Sequence, residues 1–142
     1  REYDRIYSTT CHELAHASHF SKVKTDYWNT YLKYRMMALT TGKSYGNGNG
    51  TGAGHCEVAE MWAYYMESLM YKGRYGGTLP SFGNGYWFKP DVLRYLHNNG
   101  FKCAEIFSAF DSDATSKDAL EKGLIAHYSS RQSKITQAFD KY

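Results

Sequence analysis

Apolar side chains recur along most of this chain with the period of an α-helix. The clearest stretch is 56–72, where they stand at relative positions 0, 3, 4, 7, 8 and 11 and would form one stripe along a helix. These residues are Val58, Met61, Trp62, Tyr65, Met66 and Leu69. The same spacing predicts a first helix over about 7–20 and a second over about 26–39.

The second half of the chain continues this helical pattern. Pro90 and Gly100 fit the first residue and the end of a short helix. Two or three further helices are expected after it, one of them opened by a capping box from Thr115 to Asp118. No segment alternates as a strand does. The pattern therefore predicts a mainly α fold, with residues 1–142 forming one helical domain.

A glycine-rich stretch, residues 42–54, separates the second predicted helix from the third. Six of its thirteen residues are glycine, which excludes a helix or a core strand there. The stretch matches neither the dinucleotide-binding pattern nor the P-loop pattern, and no strand is predicted before it. We therefore expect no phosphate-binding role for it.

Composition narrows the class of protein. Hydrophobic residues make up 42% and charged residues 22%, which is ordinary for a folded domain. The net charge of +3 is too small for a nucleic-acid surface, and no apolar run approaches the roughly 20 residues that cross a membrane. The three cysteines show no CxxC spacing, which argues against a disulfide framework. Because the chain begins at Arg1 without a secretory segment, we expect it to be processed or part of a longer protein.

Aromatic residues are unusually frequent, at 17% of the chain with fourteen tyrosines. Tyrosine combines an apolar ring with a hydrogen-bonding hydroxyl, so its abundance predicts an aromatic groove or interface. The alternative is that tyrosine takes the place of leucine in the core.

The first predicted helix carries the sequence His12-Glu13-Leu14-Ala15-His16. Two histidines four residues apart project from one face of a helix, where both can bind the same Zn²⁺. Glu13 would lie beside the ion, where its carboxylate can take a proton from a zinc-bound water and pass it to a leaving amine. The spacing predicts a zinc-dependent hydrolase of peptide bonds with Glu13 as the catalytic base.

Ordinary structural roles compete with this interpretation. Thr10 and Glu13 also match a capping box, in which Glu13 would serve only the start of a helix. The two histidines can likewise be unrelated to each other, one buried with a hydrogen bond and one on the surface.

A zinc site of this kind needs a third protein ligand, and the residues leave several candidates. His19 lies on the same face as His12 but about 10.5 Å farther along the axis, so we expect it in a supporting position or at the surface. Glu57 and Glu60 lie at the start of the third predicted helix. The helical wheel does not choose between them, because Glu60 falls opposite the apolar stripe and Glu57 falls beside it.

Four segments together resemble a little-characterised group of zinc metallopeptidase-like proteins of gut-type Bacteroidetes, many of them surface lipoproteins. The segments are residues 10–20, Tyr27-Trp28, residues 58–65 and residues 86–90. The resemblance implies a zincin, a metallopeptidase domain built around an HExxH helix, with glutamate as the third zinc ligand. It implies that His12, His16 and Glu60 bind the zinc, and Glu57 is the alternative third ligand.

The resemblance also implies a peptide or protein substrate and a secreted or cell-surface location. A small sheet usually precedes the HExxH helix in zincins, and eleven residues precede His12 here, so we expect that sheet to be absent or much reduced. Such a fragment could bind zinc and still be inactive alone. Tyr45, His55 and Tyr86 fall in predicted loops near the site, but none is assigned to polarise the substrate carbonyl.

Two other functions compete with a peptidase. One is a non-catalytic cell-surface module that keeps the zinc site and binds protein or glycan. The other is a structural helical domain in which the motif is accidental. The oligomeric state is left open by the sequence.

Overall fold

Every regular element is helical within residues 2–142, the part of the chain that the computed structural model describes. The elements are α1 (Glu2–Lys22), α2 (Thr25–Leu39), α3 (Ala53–Tyr75), α4 (Asp91–Asn98), α5 (Cys103–Phe107), α6 (Lys117–His127), a 3₁₀ turn (Ser129–Arg131) and α7 (Gln132–Lys141). The predicted mainly α class is confirmed, since no strand occurs in residues 2–142. The zincin-like detail of the fold stays a prediction.

Helix α1 is longer than its apolar pattern indicates, because it begins at Glu2. Thr10 therefore lies inside the helix, where its hydroxyl donates a hydrogen bond of 2.8 Å to the carbonyl oxygen of Ile6. The alternative that Thr10 and Glu13 form a capping box is wrong, since a capping residue must precede the first turn.

The start of α6 also differs from its prediction by one residue. The capping residue is Ser116, whose hydroxyl accepts a hydrogen bond of 3.1 Å from the backbone amide of Ala119. The predicted capping box from Thr115 to Asp118 is wrong in register. Thr115 and Ser116 are adjacent, and threonine and serine are both good capping residues, so the sequence could not show which of the two begins the helix.

Helix α3 occupies the centre of the molecule and packs against α1, α2, α4 and α6. Its predicted apolar stripe enters the larger core, which α4, α6 and α7 complete. Its other side carries the small residues Cys56 and Ala59, which let α2 approach closely. Polar residues of α3 that face α1 or α2 are consequently buried and need hydrogen-bond partners.

Several tyrosines belong to the core rather than to the surface. Tyr27, Tyr31, Tyr34 and Tyr65 are each buried. Their hydroxyls are hydrogen-bonded; that of Tyr27, for example, donates to the carbonyl oxygen of Ala114 at 2.7 Å. At these positions tyrosine takes the place of an aliphatic core residue, as the second interpretation of its abundance supposed.

The glycine-rich loop between α2 and α3 is fixed against both helices and the loop before α4. The hydroxyl of Tyr34 donates to the carbonyl oxygen of Tyr45 at 2.8 Å and accepts from the amide of Gly48 at 3.0 Å. Gly48 has a φ of 83°, and a Cβ there would lie 2.7 Å from the ring of Trp87. Glycine is required because the backbone is left-handed and lies directly against an indole.

Two smaller expectations can be compared with residues 2–142. Cys11, Cys56 and Cys103 are all free thiols, as the absence of a disulfide pattern predicted. None of the helices in this range has both the length and the apolar character that a membrane crossing requires.

Candidate metal centre

Helices α1 and α3 bring His12, His16 and Glu60 together in the buried interior. The Nε2 atom of His12 lies 3.1 Å from Oε1 of Glu60, and the Nε2 atom of His16 lies 3.1 Å from Oε2 of the same carboxylate. All three ligand atoms lie within 4.8 Å of one another. The group could therefore hold one metal ion.

A second carboxylate lies behind the first histidine. Oε1 of Glu67 is 3.0 Å from Nδ1 of His12, and both side chains are buried. A proton on Nδ1, donated to Glu67, leaves the lone pair of Nε2 free for a metal ion. Sequence analysis missed Glu67, although a residue seven positions after Glu60 lies only about 20° from it around a helix.

Helix α2 supplies two further side chains that hold Glu60. The hydroxyl of Tyr31 donates to Oε2 of Glu60 at 2.5 Å, and Nη1 of Arg35 donates to the same oxygen at 3.2 Å. Arg35 is held in turn by the carbonyl oxygen of Ser44 at 3.0 Å and lies 4.4 Å from the centre of the Tyr45 ring. Neither residue could be assigned from spacing, because α2 and α3 are separated by the glycine-rich loop.

These contacts set the charges of the centre. Burial opposes the charge of Glu60, but hydrogen bonds from His12 and His16 outweigh it and hold the pKa of Glu60 far below its usual range. Burial alone would lower the pKa of His12. Its hydrogen bonds to Glu60 and Glu67 have the larger combined effect and raise the pKa to about 9. In the absence of a metal ion, His12 is thus a protonated bridge between two carboxylates.

The donor atoms are of the kinds that a zinc ion binds, namely two imidazole nitrogens and a carboxylate oxygen. Ligands bound to tetrahedral zinc at about 2.0–2.1 Å lie about 3.3 Å from one another, close to the two separations of 3.1 Å found here. Two imidazoles and one carboxylate leave one of four positions for another ligand. The Nε2 atom of His16 faces Glu60, whereas its buried Nδ1 atom has no hydrogen-bond partner within residues 2–142.

Glu13 is exposed and lies at the edge of the buried face of α1. At about 100° per residue, Glu13 is roughly 60° from His16 around the helix axis. Its carboxylate forms no hydrogen bond or ion pair with another residue of the described range. Its catalytic role stays a prediction.

The other sequence candidates lie elsewhere. Glu57 is near Lys117 of α6, and burial raises its pKa. His19 is fully buried and is not a member of the group of three, so of the two positions expected for it the surface is wrong and the supporting position stays a prediction. Burial lowers the pKa of His19 to about 3, and neither ring nitrogen has a hydrogen-bond partner within residues 2–142.

The three residues considered for polarising a carbonyl have different surroundings. His55 lies on α3 rather than in a loop, with its ring centre 4.5 Å from that of Tyr27. Tyr45 donates to or accepts from the hydroxyl of Tyr64 at 2.8 Å, and the ring of Tyr64 lies 4.4 Å from that of His12. Tyr86 is partly exposed beside Tyr64. Tyr86 thus approaches the centre through Tyr64, and Tyr45 does so through Tyr64 and through Arg35.

No protein family, curated protein or solved structure matches this chain. The resemblance to zincin-type metallopeptidases therefore stays a hypothesis based on the four segments named in the sequence analysis. The side chains of the centre are the basis for inferring a function.

Proposed function

We propose that the protein binds one zinc ion through His12, His16 and Glu60 and hydrolyses peptide bonds, with Glu13 as the general base. The observation that supports this is the buried meeting of three ligand atoms within 4.8 Å of one another. A motif formed by accident would give no reason for a carboxylate from a distant helix to lie between its two histidines.

The residues around the ligands support a metal site rather than an ordinary ion pair. Glu67 orients the ring of His12, while Tyr31 and Arg35 fix one oxygen of Glu60. Such outer partners set the tautomer and direction of a ligand before the ion arrives. A zinc ion here would supply Lewis acidity, which polarises a carbonyl and makes water more acidic.

In the proposed hydrolysis, Glu13 transfers a proton from the attacking water to the leaving nitrogen. Its carboxylate takes one proton from the attacking water as the water oxygen bonds to the carbonyl carbon. The C–N bond of the peptide breaks, and Glu13 passes that proton to the leaving nitrogen. The products are a carboxylic acid and an amine, and Glu13 returns to its starting charge.

A second function is a binding module that keeps zinc without turnover. The observation in its favour is the small access to the ligands: His12 and His16 are each 7% exposed, and Glu60 is 0% exposed. A peptide carbonyl must reach the ion, so a closed centre would favour a structural or binding role.

Metal content tests the site. Elemental analysis of purified protein should find about one zinc per chain, lost in His16→Ala and in Glu60→Ala. Glu57→Ala is the matched control, because it removes a carboxylate from the same helix outside the centre. Equal zinc in all four proteins, or none in the wild type after zinc is supplied, would overturn the proposed site.

Turnover is tested separately with Glu13→Gln. Incubation with a mixed peptide library, followed by mass spectrometry, should show zinc-dependent cleavage by the wild type. Glu13→Gln should keep its zinc and lose cleavage. Zinc binding without cleavage by the wild type would leave the binding module as the function of this chain.

A further inference from the structure

A groove of about 580 Å³ lies between α2 and the glycine-rich loop. Side chains at relative positions 0, 3, 4, 7, 8 and 11 form its wall; the first five lie along one stripe of α2, and the last lies just beyond the end of that helix. These residues are Thr30, Lys33, Tyr34, Met37, Ala38 and Thr41. The stripe on α2, from Thr30 to Ala38, is about 12 Å long by the helical rise of 1.5 Å per residue, and six residues of the loop, the first Lys43 and the last Thr51, face it. The volume is within the usual range for sites of small organic ligands, about 300–1,000 Å³.

The groove combines an apolar wall with positive charge. Tyr34, Met37 and Ala38 supply carbon surface along the middle of the stripe. The charged residues that line the groove within residues 2–142 are Lys33 and Lys43, and both are cationic. A ligand that complements this surface carries an anionic group and an apolar chain or ring.

The groove is held in shape before any ligand arrives. The hydroxyl of Tyr34 is bonded to Tyr45 and to Gly48 of the loop. Gly46 lies so close that a Cβ there would be 2.8 Å from the same hydroxyl. Because the loop is already fixed to the helix, little conformational entropy remains to be lost on binding.

An exposed methionine marks the centre of the wall. Met37 is 68% exposed, as is its neighbour Met36, which does not line the groove. A ligand tail lying along the stripe would cover Met37 and leave Met36 in solvent. The two residues therefore form a matched pair with the same side chain, helix and exposure.

We propose that this groove binds a soluble organic anion with an apolar tail, such as a single-chain carboxylate or phosphate ester. The tail lies along Met37 and Ala38, and the anionic head pairs with Lys33 or Lys43. This site is separate from the metal centre and does not depend on the proposed peptidase activity.

Decanoate is a suitable probe, compared with decanol and decyltrimethylammonium in calorimetric titrations of the full chain. Decanoate should bind saturably at one site per chain, with decanol weaker and the ammonium weakest. Met37→Glu, which places a carboxylate in the groove, should weaken decanoate binding by about tenfold or more. Met36→Glu makes the same charge change outside the groove and should leave the affinity within about twofold of wild type.

Further variants test whether the lysines bind the anionic head and whether the groove is distinct from the metal centre. Lys33→Gln and Lys43→Gln together should weaken decanoate binding more than Lys122→Gln, an exposed lysine of α6. His16→Ala should still bind decanoate, which separates the groove from carboxylate binding at a metal ion. No saturable binding, equal affinity for the three probes, equal loss in Met36→Glu and Met37→Glu, or loss in His16→Ala would each overturn the proposal.

Discussion

Glu67 offers the sharpest test of whether the buried cluster is a metal centre. Its carboxylate lies 3.0 Å from Nδ1 of His12 and does not belong to the group of three ligands. Replacing Glu67 leaves all donor atoms in place but removes the charge that orients the first histidine. In a metal centre, this change should appear in zinc affinity.

The magnitude depends on the kind of contact. Loss of an outer partner of a metal ligand typically costs about 10–100-fold in affinity, or about 1.4–2.7 kcal/mol. Glu67→Gln keeps an oxygen that can accept from Nδ1, so we expect about a tenfold loss at the low end of that range. Glu67→Leu leaves the buried N–H of His12 without a partner, so we expect a loss nearer one hundredfold.

A competitive titration against a chromophoric chelator measures the zinc Kd, and circular dichroism checks that each variant is folded. Glu57→Gln is the control, since it makes the same change on α3 beside Lys117. The reasoning would be refuted if both Glu67 variants were folded and bound zinc with a Kd within about twofold of wild type. An equal loss in Glu57→Gln would also refute it, because its effect could not pass through His12.

Three further predictions concern the surroundings of the centre. Tyr31→Phe removes the 2.5 Å hydrogen bond to Glu60 and should weaken zinc binding by about threefold to tenfold in the same titration. Gly48→Ala and Gly50→Ala both place alanine at positive φ, but only the first puts Cβ against a ring. In urea unfolding, Gly50→Ala should therefore lower the free energy of unfolding by about 1 kcal/mol, and Gly48→Ala should lower it by more. Equal decreases for the two variants would contradict the close contact at Gly48. The pKa of His19 is lowered from 6.5 in the unfolded chain to about 3 in the folded protein. The stability that the neutral ring contributes is therefore fully present above pH 6.5, and it falls as the pH drops from 6.5 toward 3. In metal-free protein, His19→Leu should remove up to about 1.4 kcal/mol per pH unit of this dependence between about pH 4 and pH 6.5, and an unchanged slope would refute it.

The helical class could be predicted because it depends on local periodicity. The stripe over 56–72 has six apolar residues in register, and in the structure it faces the larger core that α3 shares with α4, α6 and α7. The bounds of the helices were less accurate, as at Glu2 and Ser116, because the polar ends of a helix carry weaker signals than its apolar face.

Within the candidate centre, the spacing of His12 and His16 identified a pair on one face of α1. Glu60 was favoured by resemblance, and the structure brings it to that pair. Tyr31, Arg35 and Glu67 were missed because they come from separate stretches of chain or from a second turn of α3. No local pattern in a single sequence records which helices will pack against each other.

The helical wheel made Glu60 look solvent-facing, and the reason it failed explains the site. A wheel assumes that a helix has one buried face, but α3 packs against α1 and α2 as well as against α4 and α6. Its second face is buried through small residues and a polar network, with Glu60 at 0% exposure and four donors around its carboxylate. A buried charge persists only where such partners are fixed in advance. The residues that make Glu60 tolerable in the interior are thus the same residues that would hold it steady for a metal ion.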